Sequence, residues 1–224
     1  MAILKAQIFG SNSVGVYLAA NNKFVLYPPS LLANMRKKFQ KIFTIPLYSL
    51  TINNSKLLGV YTASNKNGII LPKLIRDDEL DKLSSYLDNN DYQVGILESK
   101  DNAFGNLILC NDKGAIISSL LQDYRDKIEQ ILGVETIVYE FANYYLPGSI
   151  SLCNNQGCLV HPLATDEEIE MIKSILKVEE TDVSTINRGI PYLSAGAIVN
   201  DHSGIFGNFS TGPEMMRLSN VLQL

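Results

Sequence analysis

Histidine and cysteine are scarce in this 224-residue sequence, with two and three copies. Their positions, His161, His202, Cys110, Cys153 and Cys158, give no zinc spacing. An odd cysteine count in a chain this long argues against a disulfide framework and fits a reducing, cytoplasmic compartment. No apolar run is long enough to span a bilayer, and Met1-Ala2-Ile3-Leu4-Lys5 is interrupted too early to read as a signal peptide. Asn53-Asn54-Ser55 and Asn208-Phe209-Ser210 fit the glycosylation pattern, which means nothing without such a signal. The glycines follow no P-loop or dinucleotide fingerprint. A net charge of −4 offers no broad basic surface for nucleic acid, DNA included.

What the sequence does hold is a repeat. Asn154-Asn155-Gln156-Gly157 leads into the apolar run Cys158-Leu159-Val160, and the same device appears at Asn21, Asn65, Asn111 and Asn200. The steps between these asparagines are 44, 46, 43 and 46 residues. Gly15, Gly59, Gly105 and Gly148 stand six residues before their asparagines; the fifth copy has Ser194 there and Gly196 two positions late. Five turns at so even a pitch mark a five-fold internal repeat. With 46% apolar residues the chain can bury a substantial core, but a unit of about 45 residues cannot bury its own apolar face, so the five should fold together.

Each unit reads alike. A strand is expected after the glycine, as in Asn106-Leu107-Ile108-Leu109-Cys110, then the turn, with glycine in a left-handed bulge position in the middle three copies. A second strand and a helix follow. The clearest helix is the fourth, with Thr165 as cap, Asp166, Glu167 and Glu168 at its positive end, and Ile169, Ile172, Ile175 and Leu176 as its apolar stripe. Its counterparts fall at 31–43, 77–87, 122–132 and 213–222. Further strands are expected at 45–52, 92–97, 134–141 and 183–186. The fifth helix has no strand after it, whereas a spare strand opens the chain. The count balances if strand 1–9 completes the fifth unit, as in a closed ring of blades. The expected architecture is α/β: one domain, 1–224, of five ββαβ-type repeats at about 10–52, 53–98, 99–141, 142–186 and 187–224. A closed ring leaves no strand edge to share, and a monomer is expected.

No catalytic constellation emerges from the residues. Cys110 and Cys153 occupy the same repeat column and read as small apolar strand positions rather than as nucleophiles paired with His161 or His202. Both histidines read as turn or surface residues. Acidic runs at equivalent helix starts, 77–79 and 166–168, read as caps and dipole partners rather than as general acids. Arg36, Lys37, Lys38 and Lys41 form a basic stretch on the first helix, by default a solvated face, with contact to RNA phosphate as the alternative. Such a ring has two rims: the asparagine turns line one, and the more variable linkers ending at the glycines line the other. A variable rim on a regular scaffold is where binding is expected.

The segments 107–114, 154–162, Ile186-Asn187-Arg188-Gly189 and 195–201 resemble the translation initiation factor 6 family, in order and with all five repeats in register. An end at Leu224, directly after the last helix, together with the Ile- and Lys-rich usage, gives the chain an archaeal look. The resemblance implies the pentein fold, a five-bladed α-β propeller with pseudo-five-fold symmetry. It implies a factor without catalysis or cofactor that binds the intersubunit face of the large ribosomal subunit. The contact would be a ribosomal protein near the sarcin–ricin loop, with adjacent rRNA as an open second contact. By occupying that face the factor would block joining of the small subunit, with a role in initiation and large-subunit maturation. On the docking rim, Gly105 and Asn106 match the family's Gly-Asn pair; Val60 and Ser149 stand at the corresponding positions of the second and fourth repeats. Asn187 and Arg188 match its Asn-Arg-Gly, either as contacts or as braces of their loop. Other penteins are guanidine-modifying hydrolases and transferases with a Cys nucleophile, the alternative reading; their Cys–His–carboxylate set does not map onto this chain. A ring that binds RNA without specificity is a third.

Overall fold

The computed structural model describes residues 2–87 and 92–224. Met1, in the expected strand 1–9, and 88–91, in the second repeat, lie outside them. The described residues form five three-stranded sheets. In each, an asparagine-led turn joins two antiparallel strands, and a third strand runs parallel to the second. In the second repeat, Ala63–Ser64 pairs with Gly68–Pro72, which pairs with Gln93–Leu97. The fifth sheet takes its third strand from the other end of the chain. Ala2–Ala6 lies parallel to Ser203–Gly207, with Leu4 opposite Ile205.

The middle strands, Ser203 apart, are apolar because both of their faces are buried. In Gly68–Pro72, Ile69 and Leu71 pack with Leu83 and Leu87 of the same repeat's helix. Ile70 points the other way and packs with Ile128, Ile131 and Leu132 of the next repeat's helix. Ile116 and Leu159 do the same toward the fourth and fifth repeats. Ile205 and Ile198 of the fifth pack with Phe39 and Phe43 of the first. Each core therefore lies between two repeats, and the succession returns to its start.

The long helices are Ala33–Ile42, Asp77–Leu87, Arg125–Leu132, Asp166–Leu176 and Gly212–Leu222. Thr165 with Glu168 and Thr211 with Glu214 form complete capping boxes. The third helix departs from the expected 122–132. The Ser118 hydroxyl accepts from the Leu120 N–H, Ser119–Tyr124 forms a 3-10 turn, and α geometry begins at Arg125. The last strand of the fourth repeat is Glu180–Val183, not 183–186. Lys177 turns left-handed at the helix end, and the Glu179 N–H then donates to the Gln156 carbonyl at 2.8 Å, which sets the earlier register.

Two glycine columns also differ from expectation. The residues at the first column form one-turn helices rather than strand, in the same register in each: Val14–Tyr17, Leu58–Tyr61, Phe104–Leu107 and Leu193–Gly196. A Cβ on Gly59 would overlap the Gly15 carbonyl oxygen, one on Gly105 that of Gly59, and one on Gly148 that of Gly105. The turn glycines Gly68, Gly114 and Gly157 are not left-handed. They are required because a Cβ would strike the carbonyls of Ile131, Ile175 and Val221, near the end of the next repeat's helix. The fifth copy has serine in both columns. There the close approach is replaced by a hydroxyl donating to the facing carbonyl: Ser194 to Ser149 at 3.2 Å and Ser203 to Ile42 at 2.8 Å.

The asparagines complete the joints. The Asn111 side-chain oxygen accepts from the Lys113 and Gly114 N–H groups, both at 2.9 Å, closing its own turn. Its amide donates to the carbonyls of Asn154 at 3.1 Å and Leu176 at 2.9 Å in the next repeat. Replacing Asn111 with Ala leaves several buried groups unpaired, at about 1–3 kcal/mol each. Urea denaturation should therefore show a loss of about 3 kcal/mol or more for Asn111→Ala, against under about 0.5 kcal/mol for exposed Asn220→Ala. A loss below about 1 kcal/mol for Asn111→Ala would contradict this role.

Candidate functional site

The one-turn helices abut around a central opening. The Ser149 N–H donates to the Asn106 carbonyl at 3.2 Å, and the Ser194 hydroxyl to the Ser149 carbonyl. Val60, Gly105, Asn106 and Ser149 thus lie on successive turns of one rim. Their side chains differ in what they offer. Val60 and Asn106 are partly exposed, and among the described residues the Asn106 amide makes no hydrogen bond. Ser149 is 8% exposed. Gly105 serves packing, since a Cβ would strike Gly59.

Asn187 and Arg188 stand farther out, in a left-handed turn with φ of 53° and 68°. Asn187 is a brace: its amide donates to the Asn12 carbonyl at 3.0 Å, tying the fifth repeat to the first, and its oxygen accepts from the Ser210 hydroxyl at 3.4 Å. The Arg188 guanidinium is exposed and lies over the Phe209 ring, 5.0 Å from its centroid.

A carboxylate at the helix start holds this turn in place. Glu214 accepts from the N–H groups of Thr211 (2.7 Å), Gly189 (2.9 Å) and Arg188 (3.2 Å) and from the Thr185 hydroxyl (2.9 Å). Burial pushes its carboxyl up, but these donors outweigh burial and hold it at about 2. Glu79 does the same for the turn at Asn53 and Asn54, with N–H donors at 2.6 and 2.8 Å, and Glu168 accepts from the Ala142 N–H at 3.1 Å. The acidic helix starts read as caps are therefore also clamps on the rim turns.

The rim carries apolar side chains that the repeat reading missed. Leu74, Leu120, Leu163 and Phe209 all stand nine residues after their leading asparagine, and all are exposed, from 41% to 61%. They follow the second strand, whose end lies beside the glycine turns; the Ser118 N–H, for example, donates to the Leu107 carbonyl at 2.9 Å. Aligning the copies by their asparagines would have exposed this column.

Behind the rim lies a cavity of about 130 Å³, walled mainly by small residues, Ser64, Cys110 and Cys153 among them, with aliphatic side chains such as Leu18 and Ile198. At the other end it is closed by the residues following the asparagines. The amides of Asn22 and Asn155 each donate to both Asp112 and Asp201, at 2.6 to 2.9 Å. Burial pushes the Cys110 thiol well up; the adjacent Cys158 thiol and burial do the same to Cys153. Neither is a poised thiolate. His161, expected at a turn or surface, is only 5% exposed: its Nδ1 accepts from the Leu163 N–H at 3.1 Å beneath the Tyr144 ring, and burial lowers its pKa.

The sequence matches the eIF-6 family over residues 3–221. The chain belongs to the eIF-6 family. It is 38% identical to translation initiation factor 6 of Staphylothermus marinus, covering 97% of this chain and 96% of that protein. It is 35% identical to the protein of that name from Methanococcus vannielii, covering 99% of each. Both sources are archaea. Among solved structures, it is similar to an arginine dihydrolase from the ornithine–ammonia cycle in cyanobacteria, with a TM-score of 0.48 and 14% identity over 75% of this chain and 29% of that one. Family membership gives the chain a role in translation initiation and a partner in the translation machinery. No helix among the described residues is long and apolar enough to cross a membrane.

The clamp predicts a pH signature. Because the folded pKa of Glu214 lies below its ordinary value of 4.5, the unfolded chain takes up the proton first, and folding is favoured above that pH. The stability advantage of wild type over Glu214→Gln should be full at pH 7 and shrink as pH falls from about 4.5 to about 2 in urea titrations. An advantage independent of pH would show that the charge of Glu214 does not hold the turn.

Proposed function

We propose that this chain is a non-catalytic anti-association factor. It docks by its glycine-turn rim on the intersubunit face of the large ribosomal subunit and keeps the small subunit away by bulk. Family membership along nearly the whole chain carries the reading, and the rim supplies suitable chemistry. It offers the Asn106 amide, without a hydrogen bond among the described residues, the exposed column of Leu74, Leu120, Leu163 and Phe209, and the Arg188 guanidinium, whose turn is clamped by Glu214. Preordered turns lose little entropy on binding. A standard interface removes about 800 Å² from each partner, against a total surface of 9871 Å². Most of the factor would stay outside the contact as the obstacle.

In this reading Asn106 is the leading contact, with Val60 beside it. Gly105, Ser149 and Asn187 act mainly by holding the backbone of the rim. The chain works as one domain, as a monomer, in the cytoplasm and without a cofactor. The amidine-hydrolase alternative is disfavoured by thiols raised in pKa and by the absence, among the described residues, of a hydrogen bond between cysteine and histidine.

Sedimentation of purified subunits through sucrose gradients tests this. Wild type should travel with the large subunit and suppress joined ribosomes, and Asn106→Ala should weaken binding about tenfold, as loss of a hot-spot contact does. If wild type stays at the top of the gradient and joining is unaffected, the docking reading is wrong.

A further inference from the structure

Charge is divided along this chain in a way that its total of −4 hides. Residues 1–76 contain ten of the 19 basic residues and none of the 23 acidic ones; Asp77 is the first carboxylate. The first repeat and the first half of the second therefore form a basic sector on an otherwise strongly acidic protein.

The sector's cations are densest on the helix Ala33–Ile42. Phe39 is fully buried, and Met35 and Ile42 pack beside it against the first repeat's sheet. That leaves Asn34, Lys37, Lys38 and Lys41, spaced i, i+3, i+4 and i+7, as one exposed stripe, with exposed Arg36 beside it. Three lysines on that stripe lie within about 6 Å along the axis, at about 1.5 Å per residue. No carboxylate is present on this helix, and among the described residues none pairs with its four cations. The other long helices all carry carboxylates: Asp77–Leu87 and Asp166–Leu176 are net acidic, and Arg125 pairs with Glu129 at 3.4 Å on its own helix. Attraction to the helix C-terminus accounts for Lys41, but it leaves Arg36, Lys37 and Lys38 as unrelieved like charges.

Elsewhere in the sector, Lys23 lies over the Tyr92 ring at 5.2 Å and Lys56 over the Phe9 ring at 4.7 Å, and Lys66 is exposed, with the Asp112 carboxylate accepting from its N–H at 2.7 Å. Within the sector, Lys73 and Arg76 reach carboxylates, and these lie beyond residue 76, at Glu98 and Asp78. No residue of the long helices lines the axial cavity, so this helix belongs to the outer flank, where a partner docked on the rim leaves it free to meet a neighbouring surface.

We propose that this flank binds the phosphate backbone of RNA, with Arg36, Lys37, Lys38 and Lys41 as the contacts. The inference rests on the reading that the partner is a ribosomal subunit, whose RNA would lie beside the docked rim. Phosphate suits the sector because four mobile cations on a regular stripe need repeated negative charge and no particular base. The acidic remainder would repel RNA, so the charge separation also orients the approach: only this flank can face the polyanion.

The test measures binding against salt concentration, from 50 to 200 mM, for wild type and the quadruple variant Arg36→Gln, Lys37→Gln, Lys38→Gln, Lys41→Gln. Two probes are used: intact large subunits and deproteinised large-subunit rRNA. All four side chains are exposed, and a thermal melt checks that the variant folds. Lys82→Gln with Lys100→Gln, exposed lysines outside the sector and half the charge change, tests whether removing cations elsewhere has a like effect. On both probes the variant should bind more weakly, and its plot of log affinity against log salt should be shallower by about 3, at 0.7 to 0.9 per phosphate contact. The control pair should match wild type. An unchanged slope would mean a solvated face, and the proposal would fail. Weaker binding to subunits with unchanged binding to bare rRNA would mean an acidic ribosomal protein instead, and would also overturn it. If wild type ignores intact subunits, the docking reading fails by itself, and the rRNA arm still decides whether the flank takes phosphate.

Discussion

Buried asparagine side chains, one per repeat, close the five hairpin turns, and those of Asn21, Asn65, Asn111 and Asn154 also hold their unit in register with the next. Each folds its own hairpin turn with its oxygen, and Asn65, Asn111 and Asn154 spend both amide protons on the next unit. One proton reaches the neighbouring turn and the other the carbonyl at the end of the neighbouring helix. Asn21 varies the scheme, donating to the Ser64 hydroxyl and to the Tyr92 hydroxyl, which in turn donates to the Asn65 carbonyl. A buried amide left unpaired costs more than the bond contributes when made. The geometry of one joint therefore constrains the next, and the glycines follow from it. The carbonyls that the asparagines bind lie so close that a side chain at Gly68, Gly114 or Gly157 would collide with the same helix ends.

This dependence explains what could be read in the sequence. The period, the helices and the pairing of the leading strand with the fifth sheet were legible because each is set by a pattern repeated in every copy. The uniform apolar runs were legible as strands, but not their reason. Ile69, Ile70 and Leu71 look alike in sequence, yet they face two different cores. The glycine columns were visible and their cause was not. A left-handed turn and a close backbone approach both select glycine, and only the positions of neighbouring repeats separate them. Ser194 looked like a broken copy, whereas its hydroxyl binds a carbonyl of the facing turn, as that of Ser203 binds the end of the facing helix.

The rim was less legible. Asn106 and Val60 fall on it with side chains partly open, but Gly105, Ser149 and Asn187 turn out to be occupied with neighbouring backbone. Distinguishing a side chain open to a partner from a brace needed groups far apart in sequence, such as Asn187 and Asn12, 175 residues apart. The exposed leucine column was in the sequence all along, hidden because each copy also has an apolar residue, buried or part-buried, close by. Rigidity links these observations to function. Turns clamped by Glu79, Glu168 and Glu214 on a body held by inter-repeat joints suit the steric role proposed above.

The most direct measurement is amide hydrogen exchange of the protein, free and bound to large ribosomal subunits. Docking by the glycine-turn rim predicts new protection around 104–107, 119–121 and 188–192, with the asparagine turns 111–114, 154–157 and 200–203 unchanged. New protection confined to the asparagine turns, with the glycine rim unchanged, would contradict it.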